Sequence, residues 1–174
     1  MPWRWVWRGA LALLIGMAAG IPAVLWLTAD PPWESAIAAF EAQDRRQPPA
    51  PGQVVFVGSS TFRFWRTLAA DMAPVPVLNR GFGGAWLRDV LRYADRIITP
   101  YQPRAVVVYA GENDLGSRWS APDTVVEQFR QLTENLRTAH AHLPILLLAI
   151  KPSPYFAARL EQQQEANRQL RAYC

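Results

Sequence analysis

Cysteine is all but missing from this sequence. The only one is the last residue, Cys174, which excludes an internal disulfide and leaves the compartment unreadable from cysteine usage. Basic blocks are missing as well. Lys and Arg exceed Asp and Glu by +4, but the arginines are scattered through amphipathic segments. A nucleic-acid binder would instead cluster them on one face. Histidine is scarce, with only His140 and His142, and beyond one proline cluster there is neither a repeat nor a low-complexity tract. Charge is absent from Gly9 to Thr28, which gives about the 20 apolar residues a helix needs to cross a bilayer core of roughly 30 Å. Arg4 and Arg8 precede this run while Asp30 and Glu34 follow it. The positive-inside tendency therefore leaves the N-terminus in the cytoplasm and sends the rest to the periplasm or cell exterior. Trp3, Trp5, Trp7, Trp26 and Trp33 flank the run, as rings that settle at headgroup level should. A cleaved signal peptide is the rival reading. Its apolar run is usually only about 7 to 15 residues and ends in a small-x-small site, which Leu27-Thr28-Ala29 matches poorly.

What is present suits one globular domain: 174 residues, 51% hydrophobic and 18% charged. Residues 1–30 read as the membrane anchor. Residues 31–52 read as a short amphipathic helix over Trp33 to Gln47 followed by the linker Pro48-Pro49-Ala50-Pro51-Gly52. Residues 53–174 read as the folded domain, because a proline cluster cannot continue a helix. Within it, Val54 to Val57, Val75 to Leu78, Ala105 to Tyr109 and Ile145 to Ile150 are short apolar runs. Helical stripes separate them, at Thr61 to Asp71, Leu87 to Ile98, and Val125, Phe129, Leu132, Leu136 and Ala139, with Ser120 as an expected cap. A further helix is expected over Glu161 to Tyr173. Runs apolar on both faces that alternate with helices predict a three-layer α/β/α sandwich with a parallel sheet, doubly wound, with ligands at the carboxyl ends of the strands.

Three polar motifs occupy those ends. Gly58-Ser59-Ser60-Thr61 places Ser60 at a strand-to-helix turn, near backbone N–H groups that favour developing negative charge; a strand-terminating turn with an N-cap serine reads equally well. Asn79-Arg80-Gly81-Phe82-Gly83-Gly84 is a glycine-rich turn whose N–H groups can approach a ligand, or simply a tight βα turn. Gly111-Glu112-Asn113-Asp114 offers Asn113, an uncharged amide able to donate to an oxyanion, or an Asn that suits a turn. Lys151-Pro152-Ser153-Pro154 follows the fourth strand and borders the same end of the sheet.

In order and spacing, the three motifs resemble the first three sequence blocks of the SGNH hydrolases, also called GDSL esterases and lipases, over about Val54 to Ser153. The resemblance implies a flavodoxin-like strand order, Ser60 as nucleophile, and an oxyanion hole to which Gly84 contributes its backbone N–H and Asn113 its side chain. It implies an ester substrate, no metal and no cofactor. Two departures stand out. Ser59 replaces the commoner Asp of the first block, and no Asp-x-x-His, the family's base and its orienting carboxylate, occurs in the sequence. His140 and His142 precede the fourth run, at the rim opposite Ser60, so neither should substitute. The expectation is therefore a C-terminally truncated, incomplete sheet that is close to inactive by itself. A membrane-tethered glycan- or acyl-binding module, and an envelope polysaccharide acetyltransferase or esterase, are the alternatives.

Overall fold

The computed structural model describes residues 33–118 and 120–174. The expected membrane-spanning run, residues 9–28, lies outside them. Among the described residues no helix is long and apolar enough to cross a membrane. Strands β1 (Val54–Gly58), β2 (Val77–Gly81), β3 (Ala105–Tyr109) and β4 (Ile145–Leu147) form one parallel sheet in the order β2-β1-β3-β4. That is the flavodoxin-like order. It places a topological switch point at β1, where the chain winds first to one side and then to the other.

Side-chain alternation along the strands supplies two apolar faces. Phe56, Val107 and Tyr109 meet Phe62 and Leu68 from the short helices α2 (Ser60–Arg63) and α3 (Leu68–Asp71). Val55, Val57, Val106 and Val108, all fully buried, alternate with them and belong to the other face. There α4 (Leu87–Ile97) packs on β1 and on α6 (Pro122–Ala139), which in turn packs on α7 (Leu160–Tyr173). Most of each expected stripe is buried: Leu87, Val90, Ala94 and Ile97 in α4, and Val125, Phe129, Leu132 and Leu136 in α6, whereas Leu91 is half-buried and Ala139, at the end of α6, is exposed. α6 starts differently from expectation. Its N-cap is Ala121, without a side-chain cap, and Pro122 begins the helix, a position where its missing N–H is harmless.

Two elements are shorter than the sequence suggests. The helix expected over Thr61 to Asp71 is two single turns. Asn79 Nδ2 reaches from β2 to the carbonyl of Phe62 at 2.7 Å, and that carbonyl also accepts Trp65 N at 3.0 Å, so the turn tightens and ends. β4 stops at Leu147 although the apolar run continues to Ile150. Beyond it the Asn167 amide of α7 engages the Ile150 main chain, accepting from its N–H and donating to its C=O, both at 2.8 Å.

The stretch ahead of the proline cluster forms α1 (Glu34–Arg46) and bonds to the rest of a compact unit spanning Ser35–Cys174. Arg80, buried, pairs with Asp44, donates to Tyr101 Oη at 2.9 Å, and holds its guanidinium 5.0 Å from the ring centre of Phe40 and 4.7 Å from that of Tyr101. Burial, together with the bond to Asp44, pushes the Tyr101 phenol up to about 12. Arg96 and Glu41 form a second link at 2.7 Å.

β4 and the residue after it leave large apolar side chains in solvent, Leu146 at 51% and Leu148 at 39% exposure, beside a sheet edge that is an association hazard. The 174-residue chain is expected to self-associate. Leu146→Lys should shift it toward monomer at equal concentration, as read by light scattering.

Candidate functional site

The site is built from the level ends of three strands. In register, Gly58 lies opposite both Gly81 of β2 and Tyr109 of β3, with strands about 4.8 Å apart. Main-chain bonds stitch the turns that follow. Ser59 N donates to Tyr109 O at 3.1 Å and Phe82 N to Gly58 O at 2.9 Å. Gly58 makes this approach possible: its φ is +150°, and a Cβ there would lie 1.9 Å from Tyr109 O.

Ser60 is the first residue of α2 and is partly accessible. Ser59 before it is buried and its hydroxyl makes no capping bond. Its carbonyl holds the turn instead, accepting Phe62 N and Arg63 N at 3.2 Å each. Because α2 is one turn long, a developing anion here would be met by individual N–H groups and not by the dipole of a long helix, as the sequence had suggested. Gly84 has a left-handed φ of +75°, in the loop between β2 and α4.

Asn113 lies in the first turn of a short helix, α5 (Glu112–Gly116), behind Gly111 with φ +102°. Its Nδ2 donates to the carbonyl of Ala85, the neighbour of Gly84, at 2.9 Å. An amide carries two N–H donors, so this bond fixes the group and leaves a second donor. The structure thus brings Asn113 to the loop that carries Gly84, and that loop to the turn that carries Ser60.

The residues on either side of Asn113 are engaged too. Asp114, fully buried, accepts Leu87 N with both oxygens, at 3.1 and 3.2 Å, and caps α4. Burial pushes its carboxyl up to about 6, against the opposing pull of the Leu87 N–H. The folded chain therefore holds this proton more tightly than the unfolded chain does. The stability tied to the group is complete below about pH 4 and is lost as pH rises through about 6, by up to about 3 kcal/mol. Asp114→Asn is expected to flatten that part of the profile, measured as the difference in urea midpoints between wild type and variant across pH 4 to 8.

Glu112 Oε2 accepts from Lys151 Nζ at 2.9 Å and from Tyr109 Oη at 2.8 Å. Lys151 also donates to Tyr109 Oη at 3.1 Å and to Thr61 Oγ1 at 3.3 Å. Burial raises the Tyr109 phenol pKa. Burial alone would lower that of Lys151, but the bonds to Glu112 and Tyr109 outweigh it and the amine is held protonated. This cluster and the buried Asp114 escaped the sequence reading. The visible signal was a run of three polar residues, Glu112-Asn113-Asp114, directly behind a buried strand. His140 lies elsewhere, with Nε2 3.4 Å from Thr99 O, beside the short 3-10 turn Thr99–Tyr101 that leads into the start of β3. A groove of about 570 Å³ between β4 and α7, lined by Leu147, Ala149, Asn167, Leu170, Arg171 and Cys174 among others, does not include Ser60, Gly84 or Asn113.

Comparison with known proteins bears on this arrangement. The profile of the GDSL-like Lipase/Acylhydrolase family matches residues 37–174. The rice (Oryza sativa subsp. japonica) protein GDSL esterase/lipase WDL1 is 30% identical over 124 residues, covering 60% of this chain and 48% of its own length. The chain thus spans about half the length of that relative. A GDSL-like lipase from Bacteroides thetaiotaomicron superposes with a TM-score of 0.67 at 18% identity, covering 79% of this chain and 72% of the other. Axe2, an acetylxylan esterase from Geobacillus stearothermophilus, superposes at 0.52 with 14% identity, covering 71% and 74%. At these identities the two structures speak for the fold.

Proposed function

The chain belongs to the GDSL-like lipase/acylhydrolase family, and on that premise we propose that it carries the nucleophile and oxyanion donors of a serine ester hydrolase. The observation that supports this most is the junction of three strand ends at one level, with Ser60, Gly84 and Asn113 on turns bonded to one another. Ser60 Oγ attacks the acyl carbon as its proton passes to a base. The charge that builds on the carbonyl oxygen is met by the N–H groups of Ser60 and Gly84 and by Asn113 Nδ2. The ester C–O bond then breaks, the departing alcohol takes the proton, and water releases the acyl group from Ser60. The base that this chemistry requires is, by the family resemblance, an Asp-x-x-His, which these 174 residues do not contain. The N-terminal run anchors the protein so that the domain faces the periplasm or cell exterior.

The test is hydrolysis of p-nitrophenyl acetate and longer acyl esters by the full-length gene product. Activity that survives Ser60→Ala would overturn the proposal. Acetylated glycans are the first natural esters to try, since Axe2 is an acetylxylan esterase on the same fold. The side of the membrane is read from Cys174, which is exposed and is the only cysteine of these 174 residues, with any cysteine outside them replaced by serine. A membrane-impermeant maleimide should label it in spheroplasts without lysis. A second reading, a tethered binder that does no chemistry, draws support from the place of His140 beside Thr99 and from the lack of an Asp-x-x-His. It predicts ester binding without Ser60-dependent turnover.

A further inference from the structure

Lys151 is the only lysine among the 18 Lys and Arg residues of the chain, and from the segment after β4 it reaches the ends of β1 and β3. We infer that Lys151 is a positioning residue for the reaction: its ammonium ties the turn of the nucleophile to the turn of the oxyanion donor. The inference rests on the esterase reading above. Three donors radiate from Nζ to three acceptors. They are Thr61 Oγ1, on the residue after Ser60; Tyr109 Oη, at the end of β3; and Glu112 Oε2, on the residue before Asn113. Nζ also lies 4.9 Å from the centre of the Tyr109 ring. A planar guanidinium presents its donors in a flat fork, whereas an ammonium spreads them tetrahedrally. In a chain that otherwise uses arginine throughout, the one lysine stands where divergent bonds are required. Its root is held as well, because the preceding residue, Ile150, has both main-chain groups bonded to the Asn167 side chain of α7.

The amine is held protonated, so Lys151 is no candidate for the base that the sequence lacks. Its side chain is 53% exposed, and an ion pair so open to water adds little to stability. Position is a different matter: displacing reacting groups by about 1 Å can cost on the order of 100-fold in rate. Loss of the bridge should therefore slow turnover while leaving the fold intact, a combination a merely structural ion pair would not give.

The experiment uses the full-length gene product with Cys174→Ser, and any cysteine outside these 174 residues likewise replaced, as background. Ser60→Ala first defines how much hydrolysis of p-nitrophenyl acetate depends on the serine. Lys151→Met is then expected to lower kcat by roughly 10- to 100-fold with KM and Tm nearly unchanged. Lys151→Cys alkylated with 2-bromoethylamine regenerates an ammonium of near-native length and should recover most of the loss. In parallel, hydrogen exchange at the amides of Arg63 and Leu115, bonded to Ser59 O and Gly111 O, should quicken together in Lys151→Met while those of β3 do not. An unchanged kcat, a loss the alkylated cysteine does not recover, or unchanged exchange at both turns overturns the inference. If no hydrolysis depends on Ser60, the esterase reading falls and the positioning role falls with it. Exchange would then still report whether the bridge couples the two turns.

Discussion

A fluorophosphonate probe is expected to label Ser60 readily in a polypeptide that carries an Asp-x-x-His segment, and to leave the 174-residue chain almost untouched. The reaction needs a serine stripped of its proton as it attacks, and among the described residues neither Lys151 nor His140 fills that role. Lys151 is held protonated by Glu112 and Tyr109. His140 is bonded near Thr99, by the entrance to β3 and away from Ser60. A general base must stand within hydrogen-bond reach of its proton, directly or through one water. Loss of the base from such a relay costs on the order of a million-fold in turnover. Mass spectrometry of the labelled peptide containing Ser60 reads the result. Rapid, Ser60-specific labelling of the short chain would mean that a base is already present and that the proposed division of labour is wrong.

Replacing Asn113 with leucine should lower kcat by on the order of 100- to 1000-fold, the usual cost of one oxyanion donor. In this protein the variant also removes the bond to Ala85 O, so part of the effect comes through the loop that carries Gly84. Aspartate at 113 separates the two contributions: it matches asparagine in size but can no longer donate to the Ala85 carbonyl or to an anion, and it adds charge where charge develops. Asn113→Asp should therefore be at least as damaging as Asn113→Leu. Steady-state kinetics on the full-length product decides; a loss confined to KM would remove Asn113 from the oxyanion hole.

Most of the architecture was legible in the letters because β1, β3 and β4 are apolar runs and the packing helices keep most of their stripes. β2 is the exception, since it forms over Val77–Gly81 and not over the apolar run Val75 to Leu78, carrying the polar Asn79 and Arg80 inside the strand. Leu87 to Ile97 and Val125 to Leu136 are buried where the periodicity put them. What was not legible depends on partners distant along the chain. The break in the helix after Ser60 comes from Asn79, and the early end of β4 is accompanied by contacts from Asn167, a residue of α7. α1, set apart by the proline cluster, is bonded to the domain through Arg80, an arginine that the sequence offered only as part of a glycine-rich turn. At the site, Ser60, Gly84 and Asn113 stand out through motif resemblance, and their surroundings are visible only in the fold. The links through Lys151 and Asp114 join residues of different strand ends, which no local pattern reveals.

The absence of a side chain at position 58 sets how such a crevice can diversify. The junction is peptide joined to peptide, Ser59 to Tyr109 and Gly58 to Phe82, so on the proposed reading an acyl group resting there would meet the same fixed dipoles whatever its length. Discrimination among esters then falls to the walls, which can be rebuilt by substitution while the floor stays in place.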